Sequence, residues 1–468
     1  MSIMSMSSSS VKSNIPISKQ KISSDNLFKF SPNDEYIAIS NNFKLSIYST
    51  IDLKSKNPLF KYQFKDIISN IDFSPFSNYI LISLNERNIC YIKSLNKKGN
   101  NFTNRIDEGL FGLSNAIFSP LNIDKNHLDI LVFSGNNLRI SIWSLEINLK
   151  NERTTISDSF LINPKFNDKR GYDFQNNLMC LAEFRNSNNS NYHDCIGVFD
   201  IKDWSVINDF QISTIDLQKI EWAHDSENII ISDSSLLCQI FIYNSHSGDC
   251  VYLMKPYEDI MGNNIVNQSG IFDFKKNNNI ISISCFDGAN YIYKDFHFLD
   301  SFDFCEFIID ENVNIIKEDE TYGDKGENIS HFKKYKAPFK IDKFKHFVNN
   351  EKDFSQQIEF SNNNKFLALV NNKDDIKNVL WVINLVDLCL NTIIIFKNKI
   401  NKIKWHTNSN NLYILGDGGK IYYYDADNNY LDVEKIELIS SPNNIIFNKA
   451  GTIFVVGNGN YVIINPVK

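Results

Sequence analysis

The chain has 468 residues, of which 43% are hydrophobic and 13% aromatic, and its formal net charge is −7. A negatively charged chain lacks the basic face expected of a protein that binds nucleic acid phosphates broadly, so we expect no nucleic acid partner. No run of about 18 apolar residues occurs and no apolar signal segment follows the start, which predicts a soluble protein without a membrane span.

The first 25 residues are predicted to form a disordered arm. They contain the run Ser7 to Ser10, further Ser and Lys residues, and no apolar periodicity. A segment of this composition does not bury enough apolar surface to fold. Residues 26–468 are predicted to form the folded part of the protein.

Nine short motifs, each centred on an aromatic residue, recur along the folded part. Successive aromatic residues are 42 to 56 positions apart, except for one gap of 86. Two runs of strand composition follow a typical motif: in the third unit, Asp129–Phe133 and Leu138–Leu145 flank the turn Gly135–Asn137. We interpret the nine aromatic anchors as core residues between repeat units, and they are Phe30, Phe73, Phe118, Phe174, Trp222, Phe274, Phe360, Trp405 and Phe447.

The repeat predicts an all-β fold of the WD40-like β-propeller class. A unit of roughly 40 to 45 residues is the period of a four-stranded propeller blade. A blade cannot bury both faces alone, so neighbouring blades must cover them. We expect a single large ring of about nine blade units, and seven or eight blades with extra or incomplete units stay open as alternatives.

The long gap between anchors predicts a charged insertion at about residues 300–355. Its first part is acidic and its second part is basic with interleaved aromatic residues, which suggests a docking site for a partner. A solvated excursion or an extended outer strand are the alternatives. The candidate docking residues are Lys333, Lys334, Tyr335, Lys336, Lys340, Lys343 and Lys345.

No motif for catalysis, cofactor binding or metal binding occurs. The sequence contains no phosphate loop, nucleophile elbow or zinc-binding helix motif. Asp417–Gly419 lies between two strand-like runs and is predicted to be a hairpin turn. The eight cysteines form no Cys-x-x-Cys pair and are predicted to be structural thiols, while the histidines are scattered. We expect no enzyme activity, no cofactor and no metal.

Short sequence segments between the anchors resemble those of one repeat family. Ile106 to Leu113, Leu138–Leu145 and the stretch from Leu181 to Trp204 carry the most specific matches, and Ile220–Ala223 and Asn378–Val382 continue in the same order. Over about residues 27 to 465 the chain resembles the WD-repeat protein eight family, centrosomal WD-repeat proteins encoded in vertebrates antisense to the p-seventy-three gene. The Trp-Asp and Gly-His pairs typical of WD repeats are absent, which puts the regularity of the blades in question.

The resemblance implies a non-enzymatic scaffold at the centrosome or spindle pole. Members of the family are similar in helping to anchor microtubule minus ends and in assembling the spindle through protein–protein interactions. The implied partners are a coiled-coil anchoring protein of the pole, a minus-end-directed kinesin and microtubules, and the implied location is the cytoplasm at the pole.

Two other classes of function stay open. One is a translation-initiation propeller that binds the ribosome, because some initiation factors carry large rings with Phe-Ser-Pro units. The other is an enzyme that uses the central funnel of a ring, which requires carboxylates or histidines that converge there.

Overall fold

A computed structural model describes residues 20–25, 27–52, 57–84, 86, 88–95, 103–121, 127–135, 139–148, 153–186, 192–256, 270–286, 288–303, 313–322, 328–335, 356–371, 377–435 and 441–467. Within these residues the chain forms 38 strands in nine sheets and two short 3-10 turns, Gly109–Phe111 and Asp417–Gly419. The predicted all-β propeller fold is confirmed, with nine blade sheets.

The sheets are numbered here in chain order, apart from the first strand, β1 (Gln20–Ser23), which belongs to the last sheet. Sheet 1 contains β2 (Phe28–Phe30), β3 (Tyr36–Asn41), β4 (Lys44–Ser49) and β5 (Phe60–Gln63). Sheet 2 contains β6 (Asn70–Phe73), β7 (Tyr79–Leu84), β8 (Ile89–Ser94) and β9 (Thr103–Asp107). Sheet 3 contains β10 (Asn115–Phe118), β11 (His127–Phe133), β12 (Ile140–Asn148) and β13 (Arg153–Ile162).

Sheets 4 to 6 repeat the same order of four strands. Sheet 4 contains β14 (Tyr172–Gln175), β15 (Leu178–Asn186), β16 (Tyr192–Asp200) and β17 (Val206–Gln211). Sheet 5 contains β18 (Lys219–Trp222), β19 (Asn228–Ser232), β20 (Ile240–Asn244) and β21 (Cys250–Met254). Sheet 6 contains β22 (Ile271–Asn277), β23 (Ile280–Cys285), β24 (Ala289–Lys294) and β25 (His297–Asp303).

The last three sheets include two departures from this order. Sheet 7 has six strands: β26 (Asn314–Tyr322), β27 (Asn328–Tyr335), β28 (Gln356–Phe360), β29 (Phe366–Asn371), β30 (Val379–Asn384) and β31 (Cys389–Ile395). Sheet 8 contains β32 (Ile400–Trp405), β33 (Asn411–Gly416), β34 (Lys420–Asp425) and β35 (Tyr430–Lys435). Sheet 9 contains β36 (Asn444–Phe447), β37 (Ile453–Gly457) and β38 (Tyr461–Pro466), with β1 as its fourth strand.

The strand β1 corrects the predicted disordered arm, because it lies within the first 25 residues. It pairs antiparallel with β38, with Gln20 opposite Ile464 and Ser23 opposite Tyr461. The last sheet thus takes its fourth strand from a segment that precedes sheet 1 in the chain. The rest of the predicted arm, residues 1–19, lies outside the described residues.

Two compact units make up the structure. Residues 24–52 and 57–302 form one unit with sheets 1 to 6, and the other unit contains sheets 7 to 9. Within each unit the hydrophobic core lies between the faces of neighbouring sheets. For example, Ile220 and Trp222 of sheet 5 share one buried cluster with Val198 of sheet 4. The apolar residues on both faces of a sheet are therefore covered by its neighbours.

Asparagine supplies many of the tight turns. Six Asn residues in or beside turns have φ between 50° and 56°, a left-handed conformation that Asn adopts more readily than most side chains. They are Asn42, Asn88, Asn176, Asn278, Asn364 and Asn429. These six Asn residues therefore allow the tight turns in which they lie. The predicted turn Asp417–Gly419 joins β33 to β34, with Gly418 at φ 75°.

All nine aromatic anchors lie in the first strand of a four-stranded meander. Phe73, Phe118, Trp222, Phe274 and Trp405 are buried. The other four are half-buried, and they are Phe30, Phe174, Phe360 and Phe447. The anchors thus mark the first strand of each meander, and five of the nine are buried.

Hydrogen bonds tie the anchor of one sheet to the preceding sheet. Asp72 Oδ2 accepts the backbone N–H of Phe118 at 2.8 Å, and Asp173 Oδ2 accepts that of Trp222 at 2.9 Å. In sheets 7 and 8 the indole N–H of Trp405 donates to the carbonyl of Glu359 at 2.8 Å. In each case the acceptor residue directly precedes an anchor. In these repeats the motif therefore supplies both the aromatic anchor and the acceptor that hydrogen-bonds to the next sheet.

We predict that Trp222→Ala lowers the free energy of unfolding by about 3 to 5 kcal/mol, because it removes a fully buried indole and leaves a cavity. The half-buried anchor Phe174 is the matched control, and Phe174→Ala should cost clearly less. Urea unfolding followed by far-ultraviolet circular dichroism measures both. Equal losses for the two variants would contradict the assignment of Trp222 to the core.

Candidate functional site

One end of sheets 1 to 6 carries most of the exposed apolar side chains in their turns. In a meander of four antiparallel strands, the turn between the second and third strands lies at the same end as the connection to the next sheet. We call this the connection end. Its exposed large apolar residues are Phe43, Ile67, Leu110, Phe111, Ile215 and Leu236. In the described turns at the opposite end of these sheets, Ile51, Leu59 and Phe76 are exposed.

The most exposed of these residues lies in the 3-10 turn between β9 and β10. Leu110 has a relative exposure of 103%, and Phe111 beside it is also exposed. The guanidinium carbon of Arg139 lies 3.6 Å from the centre of the Phe111 ring, which makes a cation–π contact. The turn thus presents an apolar pair that a basic side chain holds in place.

The buried carboxylate of Glu108 fixes the side chains that pack against this turn. It accepts hydrogen bonds from Arg139 Nη2 at 2.6 Å, Trp143 Nε1 at 2.8 Å and Ser141 Oγ at 3.1 Å. The Arg139 that stacks on Phe111 is therefore itself fixed by a buried charge. A buried carboxylate with three donors is stable, and its removal leaves those donors without an acceptor. In sheet 3, which has no Trp-Asp pair, Glu108 serves as acceptor for Trp143, and the pairing of β12 with β13 has a register shift between Ser144 and Leu145.

A second buried carboxylate fixes the connection end of sheets 4 and 5. Asp233 Oδ1 accepts the backbone N–H groups of Ser234 at 2.7 Å, Asp216 at 2.9 Å and Ile215 at 3.0 Å. Ile215 is 77% exposed and Leu236, in the same β19–β20 turn as Asp233, is 82% exposed. Both apolar side chains therefore project from loops whose backbone is held. Binding to such loops costs less conformational entropy than binding to mobile ones.

In the other unit, the predicted insertion becomes part of a blade. The strand β26 pairs parallel with β31, with Ile316 opposite Ile394, and β27 pairs antiparallel with β26. Of the alternatives for the insertion, the structure supports outer strands added to sheet 7 and corrects the solvated excursion for residues 314–322 and 328–335. The period of the repeat reveals the insertion as a gap of 86 residues, but it does not reveal that the insertion pairs with β31.

A buried polar network attaches this hairpin to sheet 8. Glu318 Oε1 accepts from Lys420 Nζ at 2.7 Å and from the Tyr422 hydroxyl at 3.1 Å, and Glu320 Oε1 accepts from Lys420 Nζ at 2.5 Å. Burial and the adjacent Glu318 carboxylate raise the pKa of Tyr422, so its phenol stays protonated and donates. Phe332 packs against the apolar cluster between sheets 7 and 8. Glu318 and Glu320, from the acidic half of the insertion, therefore have a structural role.

The basic half is divided between described and undescribed residues. Lys333, Lys334 and Tyr335 are exposed on β27, and Lys333 Nζ lies 2.7 Å from Asp319 Oδ2. The predicted docking residues that fall outside the described residues are Lys336, Lys340, Lys343 and Lys345.

One cluster contains the residue types of a nucleophilic triad but not its order. Ser144 Oγ donates to Asp129 Oδ1 at 2.5 Å, and His127 Nε2 lies 3.3 Å from the same oxygen. Trp204 Nε1 donates to the other oxygen at 3.1 Å. In a catalytic triad the histidine stands between serine and carboxylate and takes the serine proton. Here the carboxylate stands at the centre and the serine gives its hydrogen bond to it, so the cluster links sheets 3 and 4 and does not activate a nucleophile.

The described cysteines, histidines and acids form no metal-binding cluster of three or more side chains. None of the seven described cysteines forms a disulfide. Cys90, Cys180, Cys195, Cys238 and Cys285 are buried, Cys250 and Cys389 are exposed, and Cys305 lies outside the described part of the chain. Among the described helices, none has the length and apolar character to cross a membrane.

The geometry defines a class of protein. Sheets of four consecutive antiparallel strands, stacked face to face within each unit, are blades of a β-propeller. The sequence is 24% identical over 421 residues to WD repeat-containing protein WRAP73 of Mus musculus. The aligned region covers 85% of this chain and 84% of the relative. This similarity supports a WD-repeat propeller, a type of protein-interaction scaffold. No family model matches the sequence.

Solved structures with similar folds were also found. Sqt1 of Saccharomyces cerevisiae has a TM-score of 0.47 and 9% identity, and the match covers 97% of this chain and 98% of that chain. The C-terminal WD40 domain of Sif2 has a TM-score of 0.48 and 9% identity, with 86% and 97% covered.

We predict that Glu108→Ala lowers the free energy of unfolding by about 3 to 5 kcal/mol, because it leaves the half-buried guanidinium of Arg139 and the donors of Trp143 and Ser141 without their acceptor. Leu110→Ala is the control, since this side chain is fully exposed, and its effect should stay within about 0.5 kcal/mol. Chemical denaturation measures both. A loss of stability in Leu110→Ala as large as in Glu108→Ala would show that the turn is part of the core.

The network at Lys420 predicts a pH dependence. Hydrogen bonds from Lys397 and Lys420 hold the pKa of Glu320 below its ordinary value of 4.5. A carboxyl group whose pKa is lower in the folded state stabilises that state above its unfolded pKa, and this contribution is lost as the pH falls through its folded pKa. Glu320→Gln should therefore be less stable than the natural chain at neutral pH, and the difference should shrink in acid. Urea midpoints across a pH series test this, and a difference that is independent of pH would contradict it.

Proposed function

We propose that the protein is a non-enzymatic WD-repeat scaffold of the centrosome or spindle pole that helps to anchor microtubule minus ends and to assemble the spindle. The observation that carries the proposal is the Arg105 to Leu113 region. Its sequence is among the most specific words of the family resemblance, and it builds the turn with exposed Leu110 and Phe111 over buried Glu108. This segment therefore places two neighbouring apolar side chains where a partner can contact them.

The proposed partners are a coiled-coil anchoring protein of the pole, a minus-end-directed kinesin and microtubules. The similarity to WD repeat-containing protein WRAP73 over 85% of the chain supports a scaffold, and the apolar residues of the connection end provide separate contact points on fixed loops. Aromatic and arginine side chains, such as Phe111 and Arg139, are enriched at the energetic centres of protein interfaces. The protein would act in the cytoplasm, at the pole.

The experiment compares tagged forms of the full chain in dividing cells. We expect the natural chain to concentrate at spindle poles and to co-precipitate pole proteins. Leu110→Asp should reduce this capture about tenfold, since a charge replaces an apolar contact while the fold keeps its buried residues. Ile51→Asp is the matched control, because Ile51 is 84% exposed but lies at the opposite end of its sheet.

One result would overturn the proposal, and a second would contradict its binding surface. A diffuse distribution with co-sedimentation on ribosomal subunits would support a translation-initiation propeller instead. Equal capture of pole proteins by Leu110→Asp and the natural chain would remove the connection end as the binding surface, even if the location at the pole holds.

A further inference from the structure

The outermost strand of sheet 7 has an edge that no strand within the described residues pairs with. The order of the sheet is β27, β26, β31, β30, β29 and β28, so β27 is terminal. An edge strand presents a row of backbone N–H and C=O groups that can pair with another chain. In β27, the backbone groups of every second residue pair with β26, and those of the residues between them point away from β26.

The hairpin that carries this edge is held firmly. Eight residue pairs join β26 to β27, from Ile315 opposite Tyr335 to Tyr322 opposite Asn328. Glu318 accepts from Lys420 and Tyr422 of sheet 8 and from the backbone N–H of Lys397. A strand added to β27 would therefore pair with a template that is already ordered, which lowers the entropic cost of binding.

The charge along the edge is positive although the whole chain has a net charge of −7. Lys333 and Lys334 are exposed on β27, and Lys317 lies directly opposite Lys333 on β26 and is also exposed. The Lys333–Asp319 pair has side chains 58% and 37% exposed, so solvent and salt weaken it. An incoming carboxylate can therefore compete for Lys333.

This charge decides between occupants of the edge. A second copy of β27 would place lysines against lysines, and like charges directly opposite each other destabilise a strand pair. An apolar strand would leave the lysine heads without a partner. An extended acidic segment satisfies both the backbone groups and the ammonium groups, which is the recognition mode of β-strand addition.

We propose that β27 binds an extended, acidic segment of a partner protein as a seventh strand of sheet 7, with Lys333, Lys334 and Lys317 selecting its charge. The proposal does not depend on where in the cell the protein acts. It involves only residues of sheet 7 and is separate from the connection end of sheets 1 to 6.

The test uses the full chain and a fluorescent peptide of about eight residues that alternates Glu and Val, a length typical of one strand. Fluorescence anisotropy should show saturable binding that weakens as salt is added. The double variant Lys333→Glu with Lys334→Glu should bind at least about tenfold more weakly, because the two side chains lie on opposite faces of β27 and the Glu side chains of the peptide then meet a reversed charge on whichever face they occupy. The matched control reverses Lys44 and Lys61 to Glu, two exposed lysines on sheet 1, and should bind as the natural chain does.

Backbone pairing is tested with two further peptides, N-methylated on either the odd or the even amides. Strand addition uses only one edge of the peptide, so one methylated peptide should lose binding and the other should keep it. Equal binding of both would mean charge attraction without strand pairing and would overturn the proposal. Binding by the lysine-reversed variant, or no binding by the natural chain, would overturn it as well.

Discussion

The structure depends on the packing of one sheet face against the next. Each sheet is a meander of short strands with apolar side chains on both faces, and neither face can be left in water. In sheets 4 and 5, for instance, Val198, Ile220 and Trp222 bury one another across the gap between sheets. The repeat in the sequence follows from this constraint, since every sheet needs the same large side chain at the same place in its first strand.

Buried carboxylates accept hydrogen bonds from the polar groups that apolar packing covers. A turn that connects two sheets has backbone and side-chain donors that need acceptors when they are covered. Asp72 and Asp173 fill this role between first strands, while Glu108 and Asp233 fill it at the connection end. These acids also hold exposed apolar residues such as Leu110 and Ile215 in fixed positions. The features that stabilise the fold therefore also prepare a binding surface, which suits a scaffold.

The hairpin of β26 and β27 is also held by a buried carboxylate, but it leaves a strand edge exposed. Glu318 ties it to Lys420 and Tyr422, so acidic residues that look solvated in the sequence are structural. The lysines of β27 stay at the surface, on a strand with an open edge. Within this insertion, Glu318 attaches the hairpin to sheet 8, and Lys333 and Lys334 remain exposed for contact with a partner.

The sequence by itself determined the class of fold and the positions of the first strands, because period and strand composition are local properties. It left the number of blades open between seven and nine, and the pairing of the strands into nine sheets decided it. It did not reveal that Gln20–Ser23 completes the last sheet, since pairing with β38 joins opposite ends of the chain. Nor did it separate Glu318 from Lys333, or buried Trp222 from half-buried Phe174, because burial depends on the neighbouring sheet. Only the tertiary structure brought Glu108 beneath Leu110 and Phe111, since the partners of Glu108 lie 31 to 35 residues away along the chain and meet it only when the sheets are packed.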